Sequence, residues 1–123
     1  MSEKLGINTI GEFQPRQIIA GDFQRVTKAV TLNAGAVYPM GSVLGIRSAN
    51  GLCKLVDSAQ DDGTETVYAI LGEDVDATEG QAVGAAFLTG EFIRDALTFG
   101  GSDTWETHEQ AARALSIFFK DAE

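Results

Sequence analysis

From residue 25 onward, short apolar runs rich in β-branched residues alternate with glycine-bearing polar breaks. This rhythm predicts a succession of strands. Residues 25–31 (R-V-T-K-A-V-T) alternate loosely, and Asn33-Ala34-Gly35 reads as a turn. Residues 37–46 form a second extended stretch. Its first half is an edge or a bend, because Pro39 cannot donate to a ladder and Gly41 weakens one. Asn50-Gly51 predicts a two-residue hairpin between Leu44-Gly45-Ile46 and residues 52–56. Asp61-Asp62-Gly63 marks the next turn and residues 66–71 the next strand, with residues 81–88 and 90–94 following. The apolar-Gly steps Leu44-Gly45 and Leu71-Gly72 mark strand ends where backbones pack closely. Six or so short strands with frequent turns predict a mainly β, small barrel- or sandwich-like domain rather than a parallel α/β sheet.

One segment changes period. After Gly100-Gly101-Ser102, Asp103 is placed to cap a helix whose third residue is Glu106, a spacing like that of a capping box. Trp105, His108, Ala112 and Leu115 then fall on one helical face, and Arg113 suits the negative end of the helix dipole. Residues 117–119 (I-F-F) read as a final strand, and residues 94–99 allow one short helical turn. Residues 1–20 follow neither period, although Leu5, Ile7, Ile10 and Phe13 are sizeable apolar side chains interrupted by Gly6, Gly11 and Pro15. Two readings stay open: a frayed terminus, or an extended arm that orders against another surface. The division expected is therefore an arm over 1–20 and a β-rich domain over 21–123.

Composition narrows the class. A chain of 123 residues suits one domain that buries roughly two-thirds of its unfolded surface. Cys53 is the sole cysteine, so no internal disulfide is available, which fits a reducing compartment or one where thiols are irrelevant. No apolar run approaches a membrane span. The N-terminus lacks the basic start and apolar core of a signal peptide. The expectation is a soluble protein made in a cytoplasm, with no membrane partner. The net charge is −9; residues 1–31 carry a net +1 and the remainder −10. Such an acidic body repels phosphate backbones, which argues against nucleic acid as a partner.

Chemical motifs mostly fail on their own terms. Residues 6–12 (G-I-N-T-I-G-E) have P-loop glycine spacing, but Glu12 stands where the phosphate-binding Lys is needed. Residues 108–112 (H-E-Q-A-A) begin like a zinc-protease helix and lack the second His one turn on. A serine triad would have to use His108, whose place beside Trp105 on a helix face points to packing. Cys53 in L-C-K-L reads as a small buried residue rather than a nucleophile. The cluster Glu73, Asp74, Asp76 and Glu79 begins like a calcium loop. Counting from Asp74, however, Gly80 is seventh rather than sixth, and Ala85 holds the twelfth place where the bidentate Glu belongs. It reads as an acidic turn leaving a strand. No metal, no cofactor and no catalytic residue is expected.

Taken together, several segments resemble the head decoration proteins of lambda-like tailed phages. They are I-I-A-G-D-F (18–23), V-T-L-N-A-G (30–35), Y-P-M-G-S-V-L-G (38–45), A-I-L-G-E-D-V-D-A (69–77) and G-E-F-I-R-D-A-L (90–97), and the resemblance covers roughly residues 18–119. It implies a small β-rich, non-enzymatic subunit. Such subunits bind the outside of the expanded capsid as homotrimers at three-fold positions and cement the shell against packaged DNA. The partners implied are the major capsid protein of the expanded head and further copies of the chain. The location implied is the outer surface of the virion. The resemblance also sends the N-terminal segment down onto the capsid, giving Leu5, Ile7, Ile10 and Phe13 as capsid contacts. Tyr38, Met40, Phe87 and Phe99 are the candidate subunit contacts, chosen from aromatic and apolar placement outside the helix face. Two other classes compete: a β-barrel that binds a small molecule or peptide, and a hydrolase using the acidic cluster around Asp74.

Overall fold

A computed structural model describes Ile19 and residues 24–121. The chain is mainly β, as the strand rhythm predicts. In chain order the strands are β1 (Thr27–Leu32), β2 (Val37–Tyr38), β3 (Val43–Ile46), β4 (Cys53–Leu55), β5 (Ala69–Leu71), β6 (Val75–Asp76), β7 (Ala82–Phe87) and β8 (Gly90–Ile93). A 3₁₀ turn (Arg94–Ala96), helix α1 (Trp105–Ala114) and strand β9 (Ile117–Lys120) complete the fold.

Five strands close a barrel in the order β1-β4-β3-β5-β7. The longest ladder is the antiparallel β1·β7 pair, with six registered residues from Thr27↔Phe87 to Leu32↔Ala82. β2 and β6 form a separate antiparallel ribbon, Val37 opposite Asp76 and Tyr38 opposite Val75. β8 and β9 form a second small sheet, against which α1 packs.

Alternation along the strands explains why there are two cores. On β3, Val43 faces an outer cluster and Leu44 the barrel interior; on β5, Ile70 faces outward while Ala69 and Leu71 face in. Every residue of β5 is buried, because both of its faces are covered. The interior cluster holds Leu32, Leu44, Cys53, Ala69, Leu71 and Ala86 among others. The outer cluster lies between the barrel wall and the α1–β8–β9 layer, and includes Phe92, Ile117, Phe119 and Ala112. Close backbone approach is real at Leu44-Gly45: a Cβ on Gly45 would lie 2.6 Å from the Thr64 Cα. Only glycine fits there.

The structure departs from the sequence reading at several places. The Asn50-Gly51 hairpin joins β3 and β4, but its connection is residues 47–52 rather than two residues, pinned by Arg47 N–H to Leu52 O and Gly51 N–H to Arg47 O. The strand expected over 66–71 shortens to Ala69–Leu71. The acidic turn contains the short strand β6. The final strand forms, yet pairs parallel with β8, Ile117 opposite Gly90. The intervening 3₁₀ turn, loop and α1 carry the chain back to the same end of the sheet, as a parallel connection requires. Last, the helix cap is Thr104 rather than Asp103. The Thr104 N–H donates to the Thr107 hydroxyl at 3.2 Å, because the Asp103 carboxylate is occupied elsewhere. The helix ends at Ala114, so Leu115 falls off the buried face and is 42% exposed.

Candidate functional site

The acidic stretch was the strongest candidate for chemistry, and its geometry shows what the carboxylates do. They diverge. Glu73 accepts the Ala85 backbone N–H at 2.7 Å, Asp74 accepts the Met40 N–H at 2.6 Å, and Asp76 accepts both the N–H and hydroxyl of Thr78 at 3.0 and 2.7 Å. Glu73 extends the β5·β7 ladder beyond the point where Gly72 N–H bonds Ala85 O. Asp74 ties the bend at residues 39–41 to the turn after β5. The Thr78 bonds hold the Asp76 carboxyl below the ordinary carboxylate range. All four acids remain exposed, so their charge stays solvated while three of them fasten backbone. Among the described residues no three His, Cys, Asp or Glu side chains group as a metal site.

A second polar cluster was not foreseen. Asp103 accepts the Ser58 N–H at 2.6 Å and the Ser58 hydroxyl at 2.7 Å. Its Oδ2 also lies 2.7 Å from His108 Nε2, with side chains only 3% exposed for His108 and 7% for Asp103. Burial alone would raise the Asp103 carboxyl; the bonds from Ser58 and His108 outweigh it and bring it below its usual value. The Phe99 ring stacks on His108 at 5.7 Å and 3°. Here the carboxylate stands between hydroxyl and imidazole. A nucleophilic triad needs the imidazole between the other two, so the arrangement joins the β4–β5 connection to α1. The one available signal was His108 on the apolar helix face. Its partner is five residues away in sequence, and Ser58 is forty-five from Asp103, a distance no local pattern reports.

Cys53 is fully buried in the barrel interior, and burial pushes its thiol up to about 11. The thiol form is unreactive as a nucleophile.

The apolar residues chosen for subunit contacts are placed as follows. Tyr38 is 3% exposed and its hydroxyl donates to Asn33 O at 2.9 Å. Met40 is buried in the outer cluster. Phe87 packs half-buried against Phe92, with ring centroids 5.6 Å apart, and Phe99 meets Phe119 edge-on at 6.0 Å. The subunit's own packing thus buries Tyr38 and Met40, while Phe87 and Phe99 keep part of their surface open. The large apolar side chains that do face solvent among the described residues are Val26, Val37, Val83 and Leu115. Leu5, Ile7, Ile10 and Phe13 lie outside the described residues, as does the stretch 6–12. Ile19 bridges antiparallel to Phe92 and packs against the outer cluster.

A closed β-barrel whose carboxylates fasten its own backbone, with a helix and a two-strand sheet laid on one wall, defines a small, mainly β domain. The family model described as bacteriophage lambda head decoration protein D matches residues 13–118, and the chain belongs to that family. It is a phage head decoration protein: a structural protein of the virion that binds the capsid from outside. No curated protein matches the chain. Among the described residues no helix is long and apolar enough to cross a membrane.

Proposed function

We propose that this subunit cements the expanded head, binding the major capsid protein at three-fold positions as a homotrimer and stabilising the shell against packaged DNA. The observation that carries the reading is the family match over residues 13–118. A ligand that binds only the expanded state stabilises that state by mass action, and many copies multiply the effect. The chain is made in the bacterial host cytoplasm and assembles onto heads there.

The N-terminal residues Leu5, Ile7, Ile10 and Phe13 are the proposed capsid contacts. Laid beside an exposed shell strand, such a segment pairs its backbone and inserts alternate side chains. The net +1 of residues 1–31, against −10 for the rest, suits contact with a protein surface better than the body does. Contacts between subunits are proposed for the exposed surface, since the subunit's own packing takes up Tyr38 and Met40 and half-buries Phe87 and Phe99.

Co-sedimentation with purified heads tests the function. Full-length protein is expected to pellet with expanded heads and not with unexpanded proheads; equal binding to both, or to neither, overturns the reading. Deleting residues 1–15 is expected to leave circular dichroism nearly unchanged and to weaken head binding by at least about tenfold, or ~1.4 kcal/mol. Undiminished binding would remove the arm from the mechanism. A map of decorated heads with single copies, or with two-fold symmetry, would refute the trimer.

A further inference from the structure

Among the described residues, the outer face of the β1·β7 ladder is left largely uncovered. In the β1·β7 ladder, Thr27 lies opposite Phe87, Ala29 opposite Ala85 and Thr31 opposite Val83. Val30, Leu32, Gly84 and Ala86 are buried from the other face of the same ladder. Successive side chains on a strand take opposite faces, so the first set stands on the outside. Phe87 is drawn under the outer cluster. Thr27, Ala29, Thr31, Val83 and Ala85 remain; Val83 is 67% exposed, and of the others only Thr31 is partly covered. None bears a charge, in a chain of net −9. Two exposed residues of opposite sign border it, each tied by an internal bond: Lys28 Nζ donates to the Tyr68 hydroxyl at 3.3 Å, and Glu73 accepts the Ala85 N–H at 2.7 Å.

We propose that this uncharged wall is where a second copy of the chain docks. Charge selects that occupant. Two bodies of net −9 repel, and like charges set against each other across an interface cost several kcal/mol. A basic or neutral partner could use the acidic surface, whereas a like-charged partner needs a surface without net charge, and every copy of this chain is such a partner. The wall is also prepared for contact. Six registered pairs fix its backbone, and Thr, Ala and Val lose little rotamer freedom on burial. The inference rests on the proposed trimer for its setting: a three-fold ring closes head to tail, so this wall supplies one of the two patches required.

A photocrosslinker at position 83 decides it. Cys53 is fully buried and its thiol is pushed up to about 11, so benzophenone maleimide on the Val83→Cys protein labels the new thiol alone. Irradiated on purified expanded heads, the labelled protein is expected to give an adduct of twice the chain mass. An adduct with the shell protein only, or none while the protein stays on the heads, overturns the proposal. As a second variant, Val83→Glu is expected to keep the wild-type circular dichroism and to lower head occupancy at limiting concentration by roughly tenfold; wild-type occupancy overturns the proposal. Should the intact chain fail to bind heads, or labelling abolish binding, irradiation free in solution at high concentration decides instead. A self-adduct there supports the face even as the head reading falls, and its absence overturns the face.

Discussion

The two cores of this subunit are built from different materials. The barrel-interior cluster is mostly small and aliphatic: Ala69, Ala77, Ala86, Cys53, Val30 and Val75, with three leucines and one ring, Tyr38, among the buried residues. The outer cluster is built around rings, with Phe92 and Phe119 buried and Phe87, Phe99 and Trp105 packed against them. The difference follows from geometry. Five strands enclose little space, so β7 presents Ala82, Gly84 and Ala86 inward, and a Cβ on Gly84 would lie 2.6 Å from Val75 Cγ2. The α1–β8–β9 layer stands off the wall and needs bulk to fill the gap. Shared strands join the two, since Val43 and Leu44, like Ile70 and Leu71, serve opposite cores from adjacent positions. A perturbation on one side should therefore reach the other.

The largest effect is expected from Phe92→Ala. Phe92 is fully buried, and removing a buried ring costs about 3–5 kcal/mol, a large part of the stability of an ordinary domain. Urea unfolding should show that loss in one transition, followed equally by near-UV and far-UV circular dichroism. Two separated transitions would mean that the outer layer melts alone and that the shared strands do not couple the cores.

Next is the barrel wall, at the face that Gly45 shares with Val43. Gly45→Ala forces a Cβ against the Thr64 backbone, which cannot swing away as a flexible side chain would. A cost of about 1–3 kcal/mol is expected for such overpacking, with the unfolding slope unchanged. A neutral result would show the residues 61–66 loop, which covers this face of the barrel wall, to be soft.

These two sites also show what was legible in the sequence. The strand rhythm, the hairpin before Cys53 and the close approach at Gly45 are local features, written in period, turn residues and a missing side chain. The arrangement of the strands is not local. Nothing around Ile117 says that β9 runs parallel to β8, because that follows from how far α1 carries the chain. Nothing around Tyr38 or Phe99 says whether an aromatic faces a partner or its own core. Glu73 and Asp74 were legible as a turn, although the strand at Val75–Asp76 was not, and their bonds to Ala85 and Met40 cross 12 and 34 residues and needed the fold. The exposed wall is the plainest case. T-x-A-x-T and V-x-A are visible alternations in the chain, but only the register of β1 on β7 brings them together.

A smaller effect should separate the two polar fasteners, one on each side. Asp103 belongs to the outer layer. Asp103→Ala strands the buried end of His108 and the Ser58 N–H, at about 1–3 kcal/mol. On the barrel side, Asp62 accepts the Thr64 N–H and hydroxyl at 3.1 and 2.6 Å and faces Lys54 Nζ at 3.3 Å. Its side chain is more open, 28% exposed, so Asp62→Asn should cost less than Asp103→Ala. Equal losses would erase the distinction between a buried and an exposed fastener.

Acid should expose the same pair with the least disturbance. The Asp62 carboxyl is lowered from 3.8 to about 2, first by the Thr64 hydroxyl and N–H and then by Lys54, against the opposing pull of desolvation. Asp76 and Asp103 are lowered as well. A carboxyl whose folded value lies below its unfolded value binds protons more readily in the unfolded chain. Its contribution is therefore complete above the unfolded value and is lost as pH falls through the folded one. For Asp62 that window runs from 3.8 down to about 2. The melting temperature should hold level above the window and fall within it. Asp62→Asn should start lower at neutral pH and descend less steeply, because it has no proton left to take up there. A variant that keeps the full wild-type slope would show that the acid response comes from the other lowered carboxyls, Asp103 of the outer layer and Asp76 of the ribbon, and that the Thr64 bonds hold Asp62 no more tightly in the folded chain than in the unfolded one.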